Sequence, residues 1–298
     1  MNSAVASGSV LEPIANGRRG RRYRLARPLW AAPAVVFLVV FFVLPLLQNA
    51  QRSVSEGLAA QDALFYYAKL LSDEYYLGVV WQTLQVSLIV TVVCLLLGYP
   101  VAYFMTRHAG RWQGLIVFFL IAPLLTSIIM RTFGWRVLFA RRGLVNVWLM
   151  DVGIIERPLN VLSQPLSVYI GLVHVLLPFM VLSIAAVLQA IDLRLEESAR
   201  VLGAGRFRAF TSVTLPLSLD GVATGCILVF MLTNGSFVTM LLLGGNSVVT
   251  IPLLIYQQFN LTQDVAFASA MGNLLLVTAL ACLVVQIRLV RRRGVRAL

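Results

Sequence analysis

Apolar residues in this chain come in long runs, and the charges that separate them are gathered into short clusters. Stretches free of Asp, Glu, Lys and Arg cover residues 28–51, 75–106, 112–130, 158–191, 221–263 and 265–287. About 20 apolar residues cross a bilayer as a helix, and each stretch holds at least that much or nearly so. The pattern therefore predicts an all-α integral membrane protein with six spanning helices, at about 30–49, 79–105, 114–131, 167–190, 219–242 and 266–288. The fifth stretch is too long for one span. Gly244 and Gly245, followed by Asn246, favour a turn, so residues 244–264 are read as a loop.

Composition agrees. Of the 298 residues, 59% are hydrophobic and 12% charged, with a mean hydropathy of +0.87. Soluble domains carry roughly a quarter charged residues. The net charge of +12 raises the question of nucleic acid, but its distribution answers with a membrane. Arg18, Arg19, Arg21, Arg22, Arg24, Arg27, Arg107, Arg111, Arg194, Arg200, Arg206, Arg208, Arg288, Arg291, Arg292, Arg293 and Arg296 all fall on the side of the N-terminus. Those are seventeen of the 24 basic residues. Glu56, Asp62, Asp73, Glu74, Asp151, Glu156 and Asp264 fall on the other side. This positive-inside asymmetry predicts that both termini are cytoplasmic.

Residues 1–28 read as a disordered, basic arm, 29–289 as the transmembrane domain and 290–298 as a basic tail. The first apolar run is long and lacks a small-x-small cleavage site, so it reads as a retained anchor. Cys94, Cys226 and Cys282 each lie inside a predicted span, with no metal-ligand spacing, and behave as small hydrophobes.

Three classes of function remain: an ion-coupled transporter, a membrane-embedded enzyme, and the membrane subunit of a larger machine. The first is weakened because the twelve acids all lie outside the spans or at their ends. His174 is the titratable side chain well inside a span, and a lone histidine there is expected to hydrogen-bond a neighbouring helix. The second lacks its chemistry: no HExxH, no Cys/His cluster and no paired intramembrane carboxylates. Catalytic residues, metal ligands and cofactors are therefore not expected. The single lysine, Lys69, has no glycines before it, so no phosphate-binding GxxxxGK[ST] exists and energy must come from another subunit.

One polar interruption stands out, EESARVLGAGRFRAFTSVTLP at 196–216. Asp192 is placed to cap a short helix over 193–202, and Gly203 to end it in the left-handed conformation. Glu196 and Arg200 stand four apart in the favourable order. A second short helix is expected from Arg206, with Phe207 and Phe210 on one side, before Pro216 leads into the fifth span. Such a helix-turn-helix can dock into a groove on a partner, with its aromatics as anchors, or pack only against its own membrane helices.

Read from Glu197, the segment is E-S-A-x3-G-x9-V-x-L-P. It resembles the EAA loop of ABC importer permeases, E-A-A-x3-G-x9-I-x-L-P. Glu197, Ala199, Gly203, Leu215 and Pro216 match, while Ser198 and Val213 depart mildly. The stretches GLVHVLLPFM at 171–180 and GSFVTMLLLGG at 235–245 look like segments of spermidine/putrescine-type permeases, and the likeness runs over 29–288.

The resemblance implies a type I importer permease fold in the bacterial inner membrane. It implies a partner ATPase subunit docked on 192–216, through Glu197, Ser198, Ala199, Gly203, Phe207, Phe210, Leu215 and Pro216. A second permease subunit and an extracytoplasmic solute-binding protein would complete the assembly, set in membrane lipid and without nucleic acid. The implied solute is a polyamine or a related amine or opine-type compound. Another small solute, such as an amino acid or organic ion, is the alternative, and a stand-alone ion-coupled transporter a more distant one. Candidate lining residues of the pathway are His174, Thr233, Asn234, Ser236 and Thr239. The outer loop 132–166 contains an apolar run at 143–155 suited to the membrane surface or to the binding protein.

Overall fold

A computed structural model describes residues 33–59, 64–245 and 247–294. The expectations for the arm 1–28 and for the end of the basic tail lie outside the described residues. The chain divides into two compact units, Met1–Asn49 and Ala50–Leu298. The described part of the first unit is helical and includes a π turn at Val39–Val43. All regular structure among the described residues is helical.

In chain order the helices are α1 (Pro33–Val54), α2 (Phe65–Ser72), α3 (Glu74–Arg107), α4 (Gln113–Ile121), α5 (Ile128–Leu138) and α6 (Leu144–Asp151). Then follow α7 (Pro165–Ala190), α8 (Leu193–Val201), α9 (Arg206–Leu217), α10 (Leu219–Asn234), α11 (Ile251–Gln257) and α12 (Val265–Gly294). Helices α1, α3, α7 and α12 are each long and apolar enough to cross a membrane. Two bent pairs raise the number to six if each pair makes one span.

Helix α3 shows why such a long element holds. The Asp73 carboxylate accepts from the Tyr75 N–H at 2.9 Å and caps the start, and Arg107 sits in the last turn where a cation suits the dipole. The hydroxyls of Thr83, Ser87 and Thr91 each donate to the carbonyl four residues back, so burial leaves none of them unpaired.

The core of the second unit lies where α3, α7 and α10 pack together. Val86, Val90, Cys94, Met180, Val181, Ile184 and Val229 are all buried there. Glycines let the backbones approach: a Cβ on Gly98 would stand 3.0 Å from Met180 Cγ, and one on Gly221 3.0 Å from the Ser183 carbonyl. A second apolar cluster joins α2, α3, α11 and α12 through Leu70, Val79, Ile251, Leu254, Phe267 and Met271.

Three expectations are corrected. The predicted helix at 114–131 is broken: it tightens into a 3-10 turn at Ala122–Leu125, and α5 departs at 97°. Pro123 lacks an N–H, and the Thr126 hydroxyl donates to the Pro123 carbonyl at 2.7 Å, while Thr126 and Ser127 adopt extended backbone. The predicted helix at 219–242 stops at Asn234 and resumes through a π turn at Met240–Gly244. Thr233 and Asn234 turn their side chains back onto the carbonyls of Val229 and Phe230, just before Gly235.

The expected loop 244–264 contains helix α11 and a π turn at Gln258–Thr262. Pro252 occupies the first turn of α11, where a missing N–H costs nothing. The Thr83 hydroxyl accepts from the Ile251 N–H at 3.0 Å, and the Gln82 side chain accepts from the Val249 N–H at 3.2 Å. The Ile251 N–H is one of the orphan donors that a helix start must satisfy, and the Val249 bond fixes the chain just before the cap. The segment 132–166 is also more ordered than a loop, with α6 inside its apolar run. Asn146, 1% exposed, accepts from the Leu159 N–H and donates to the carbonyls of Ala140 and Leu159.

Candidate functional site: the coupling loop

Between α7 and α10 the chain leaves the core and forms the predicted helix-turn-helix. Ile191 and Asp192 take extended backbone, which ends α7, and the Asp192 carboxylate accepts from the Arg194 N–H at 2.9 Å to cap α8. Gly203 ends α8 with φ +90°, a region that side chains with a Cβ rarely enter. The N–H groups of Leu202, Gly203 and Ala204 close the last carbonyls of α8.

The two sides of the loop differ sharply. Val201, Leu202 and Phe207 are 87%, 88% and 80% exposed, and Glu197, Ser198 and Gly203 share that open side. Large apolar side chains so fully exposed around a tight turn, beside the charge of Glu197, form a candidate contact surface. Phe210, expected beside Phe207, turns the other way. Its ring meets Tyr99 and Tyr103 edge-on, with centroids at 5.8 and 5.2 Å. Ala199 and Leu215 are half-buried, and Pro216 is exposed. Helix α9 then bends by 59° into α10.

The loop is held by a group that spacing along the chain does not reveal. Glu196, expected to support α8 through Arg200, is instead 6% exposed and accepts from Arg107 Nη2 at 3.2 Å and from the Thr214 hydroxyl at 2.9 Å. Arg107 also donates from Nη1 and Nη2 to the Ile191 carbonyl, each at 3.3 Å. Nearby, the hydroxyls of Tyr99 and Ser218 meet at 2.8 Å. The signal that pointed this way was Arg107, a lone charge at the end of an apolar run.

The expected pathway residues lie apart from the loop. His174 Nδ1 accepts from the Trp135 indole at 3.3 Å, which is the neighbouring-helix hydrogen bond expected of it. Thr233, Asn234 and Thr239 are buried, while Ser236 is half-buried at the break after α10. The Thr233 hydroxyl is committed to the Val229 carbonyl. Asn234 Oδ1 and Thr239 Oγ1 are buried without a hydrogen-bond partner among the described residues. The same is true of Arg131 Nε and Nη1 on α5. Among the described residues no cluster of His, Cys, Asp or Glu is arranged to hold a metal ion.

This arrangement of long apolar helices, two bent pairs and a projecting helical loop has a close structural counterpart. A permease-like chain in the crystal structure of a bacterial alginate ABC transporter, in complex with an alginate pentasaccharide-bound periplasmic protein, superposes with a TM-score of 0.78. It covers 93% of this chain and 98% of that one at 19% identity, which establishes the fold. The fold is thus shared with a chain of a bacterial ABC transporter, all-helical with four to six candidate spans.

Residues 23–295 match the family model described as binding-protein-dependent transport system inner membrane component, and the chain belongs to that family. It is the inner-membrane permease subunit of an ABC importer. It is similar to the spermidine/putrescine transport system permease protein PotB of Haemophilus influenzae, 34% identical over 247 residues, covering 80% of this chain and 86% of that one. PotB of Escherichia coli K12 is also 34% identical, over 259 residues, covering 82% of this chain and 93% of that one.

Proposed function

We propose that this chain forms half of a translocation pathway for a polyamine or related amine, with six spans and both termini in the cytoplasm. The bent pair α4/α5, and the run from α10 to the π turn at Met240–Gly244, supply the two spans beyond the four continuous helices. The loop 192–216 docks on the ATPase subunit, a second permease completes the pathway, and an extracytoplasmic binding protein delivers the solute. The observation that carries the docking reading is the exposure of Val201, Leu202 and Phe207 around the Gly203 turn, flanked by the charge of Glu197. An apolar patch of this kind serves as an anchor once buried in a partner groove.

The solute reading is supported by the two PotB relatives, which are spermidine/putrescine permeases by name. Of the five expected lining residues, Asn234 and Thr239 are the best placed to meet solute, because each keeps a polar oxygen without a partner. His174 is committed to the Trp135 indole and Thr233 to the Val229 carbonyl, while Ser236 lies half-buried at the break after α10.

The docking reading is tested by Phe207→Asp. Burying a charge in the groove weakens the complex by roughly 2 kcal/mol or more, about thirtyfold, so the ATPase subunit is lost on purification. Retention of that subunit at the wild-type ratio overturns the reading. The solute reading is tested by the ligand that co-purifies with the cognate binding protein.

A further inference from the structure

Three side chains at four-residue intervals along the end of α3 reach into the coupling loop. Tyr99 meets Ser218 and Phe210, Tyr103 meets Phe210, and Arg107 meets Glu196 and the Ile191 carbonyl. Four-residue spacing puts all three on one stripe of the helix. The loop is thus fastened to α3 as well as to α7 and α10, the helices that it joins in sequence.

The ion pair is the costly part of this fastening. Its side chains are only 6% and 9% exposed, and Arg107 Nε is buried without a partner among the described residues. Desolvating two charges offsets most of what their attraction contributes, so a buried pair is poor evidence of stabilisation and better evidence of fixed geometry. The arginine fork bridges two different pieces of chain: the Glu196 carboxylate inside α8 and the Ile191 carbonyl before it. A lysine ammonium lacks the fork for that geometry. Thr214 holds the same carboxylate oxygen from α9, so both halves of the helix-turn-helix converge on one atom.

We infer that Arg107 is the positioning residue that transmits movement of the docked loop to α3, through the carboxylate of Glu196. The inference rests on the docking reading above. The partner's groove grips the exposed side, at Val201, Leu202 and Phe207, while Arg107 and Glu196 grip the opposite side. Transmission and docking are therefore carried by different residues and separate experimentally.

The test uses the full importer reconstituted in lipid with its binding protein, in Glu196→Gln and Arg107→Lys forms. Glu196→Gln keeps the side chain's size and removes its charge, while Arg107→Lys keeps the charge and removes the fork. The measurements are the amount of ATPase subunit retained, the rate of ATP hydrolysis, and the solute imported per ATP hydrolysed. The expected result is a full complement of ATPase subunit, with solute per ATP reduced about tenfold in Glu196→Gln and by less in Arg107→Lys, within the range of typical coupling energies.

A purely structural role would lower the amount of assembled complex and leave solute per ATP at the wild-type value; that outcome overturns the inference. Loss of the ATPase subunit also overturns it, since the pair would then belong to the docking surface. If the ATPase docks elsewhere, Phe207→Asp is silent, so failure of the docking reading is recognised independently.

Discussion

The Trp135 indole N–H donates to His174 Nδ1 at 3.3 Å, with the two rings edge-to-face and 5.4 Å apart, and so ties the bent helix α5 to α7. With Nδ1 accepting, the proton of the neutral imidazole rests on Nε2. The histidine is a strut between helices. Replacing it with Gln is expected to leave uptake within about threefold of wild type, whereas His174→Leu strands the indole N–H at a cost of about 1 kcal/mol. Thermal unfolding in detergent and uptake in proteoliposomes read the two effects. Uptake is also expected to be unchanged when an ionophore collapses the proton gradient at constant ATP; a proton-relay histidine would make it fall.

Glu197 and Gly203 fail differently from Phe207. Gly203→Asp forces a side chain into φ +90°, at a cost of about 1–2 kcal/mol to the turn. Glu197→Arg reverses a charge on the open side of α8. Both are expected to abolish uptake while the permease inserts in the membrane at normal levels. Uptake assays alongside membrane quantification decide the matter; wild-type uptake with either change would remove the loop from the docking surface.

Helix approach is tested by glycines in contrasting surroundings. A Cβ on Gly221 meets the Ser183 carbonyl and Val187 Cβ, both at 3.0 Å, and neither can swing away. Gly221→Leu is expected to destabilise by about 1–3 kcal/mol. Gly78 has nothing within 4 Å of an added Cβ, so Gly78→Ala in the same assay is expected to stabilise by about 0.5–1 kcal/mol.

Gln82 and Thr83 hold the segment leading into α11 from α3. The double change Gln82→Ala with Thr83→Val leaves the Val249 and Ile251 N–H groups unpaired. Hydrogen exchange at 247–254 is expected to speed up by about tenfold or more, roughly 1.4 kcal/mol of lost protection, while exchange in α7 stays constant.

Helices α3, α7 and α12 were legible because each is a single apolar run, and capping and glycine signals made the helix-turn-helix at 192–216 legible as well. The breaks were not. No charge marks Thr126 and Ser127 or the stretch 233–236, and apolar residues flank both, so a hydropathy window passes through them. What bends the chain there is a hydroxyl or amide turned back onto a carbonyl, a choice made residue by residue. Glu196 was misread for a related reason. A partner four residues away is visible in a sequence, whereas Arg107 is distant in the chain and becomes a partner only once α3 and α8 have packed. Phe210 shows the same limit: its spacing from Phe207 placed both on one side, and two tyrosines of α3 drew it to the other.

Helix α3 is held near one end by backbone N–H groups bonded to Gln82 and Thr83, and at the other by Arg107. The 24 residue steps from Thr83 to Arg107 span about 36 Å of helix at 1.5 Å per residue. A stiff rod of that length, turned by about 5°, carries its far tip through roughly 3 Å, about one hydrogen-bond length. Turning the loop end by a few degrees is thus enough to part or close the contacts at Val249 and Ile251 on the far side.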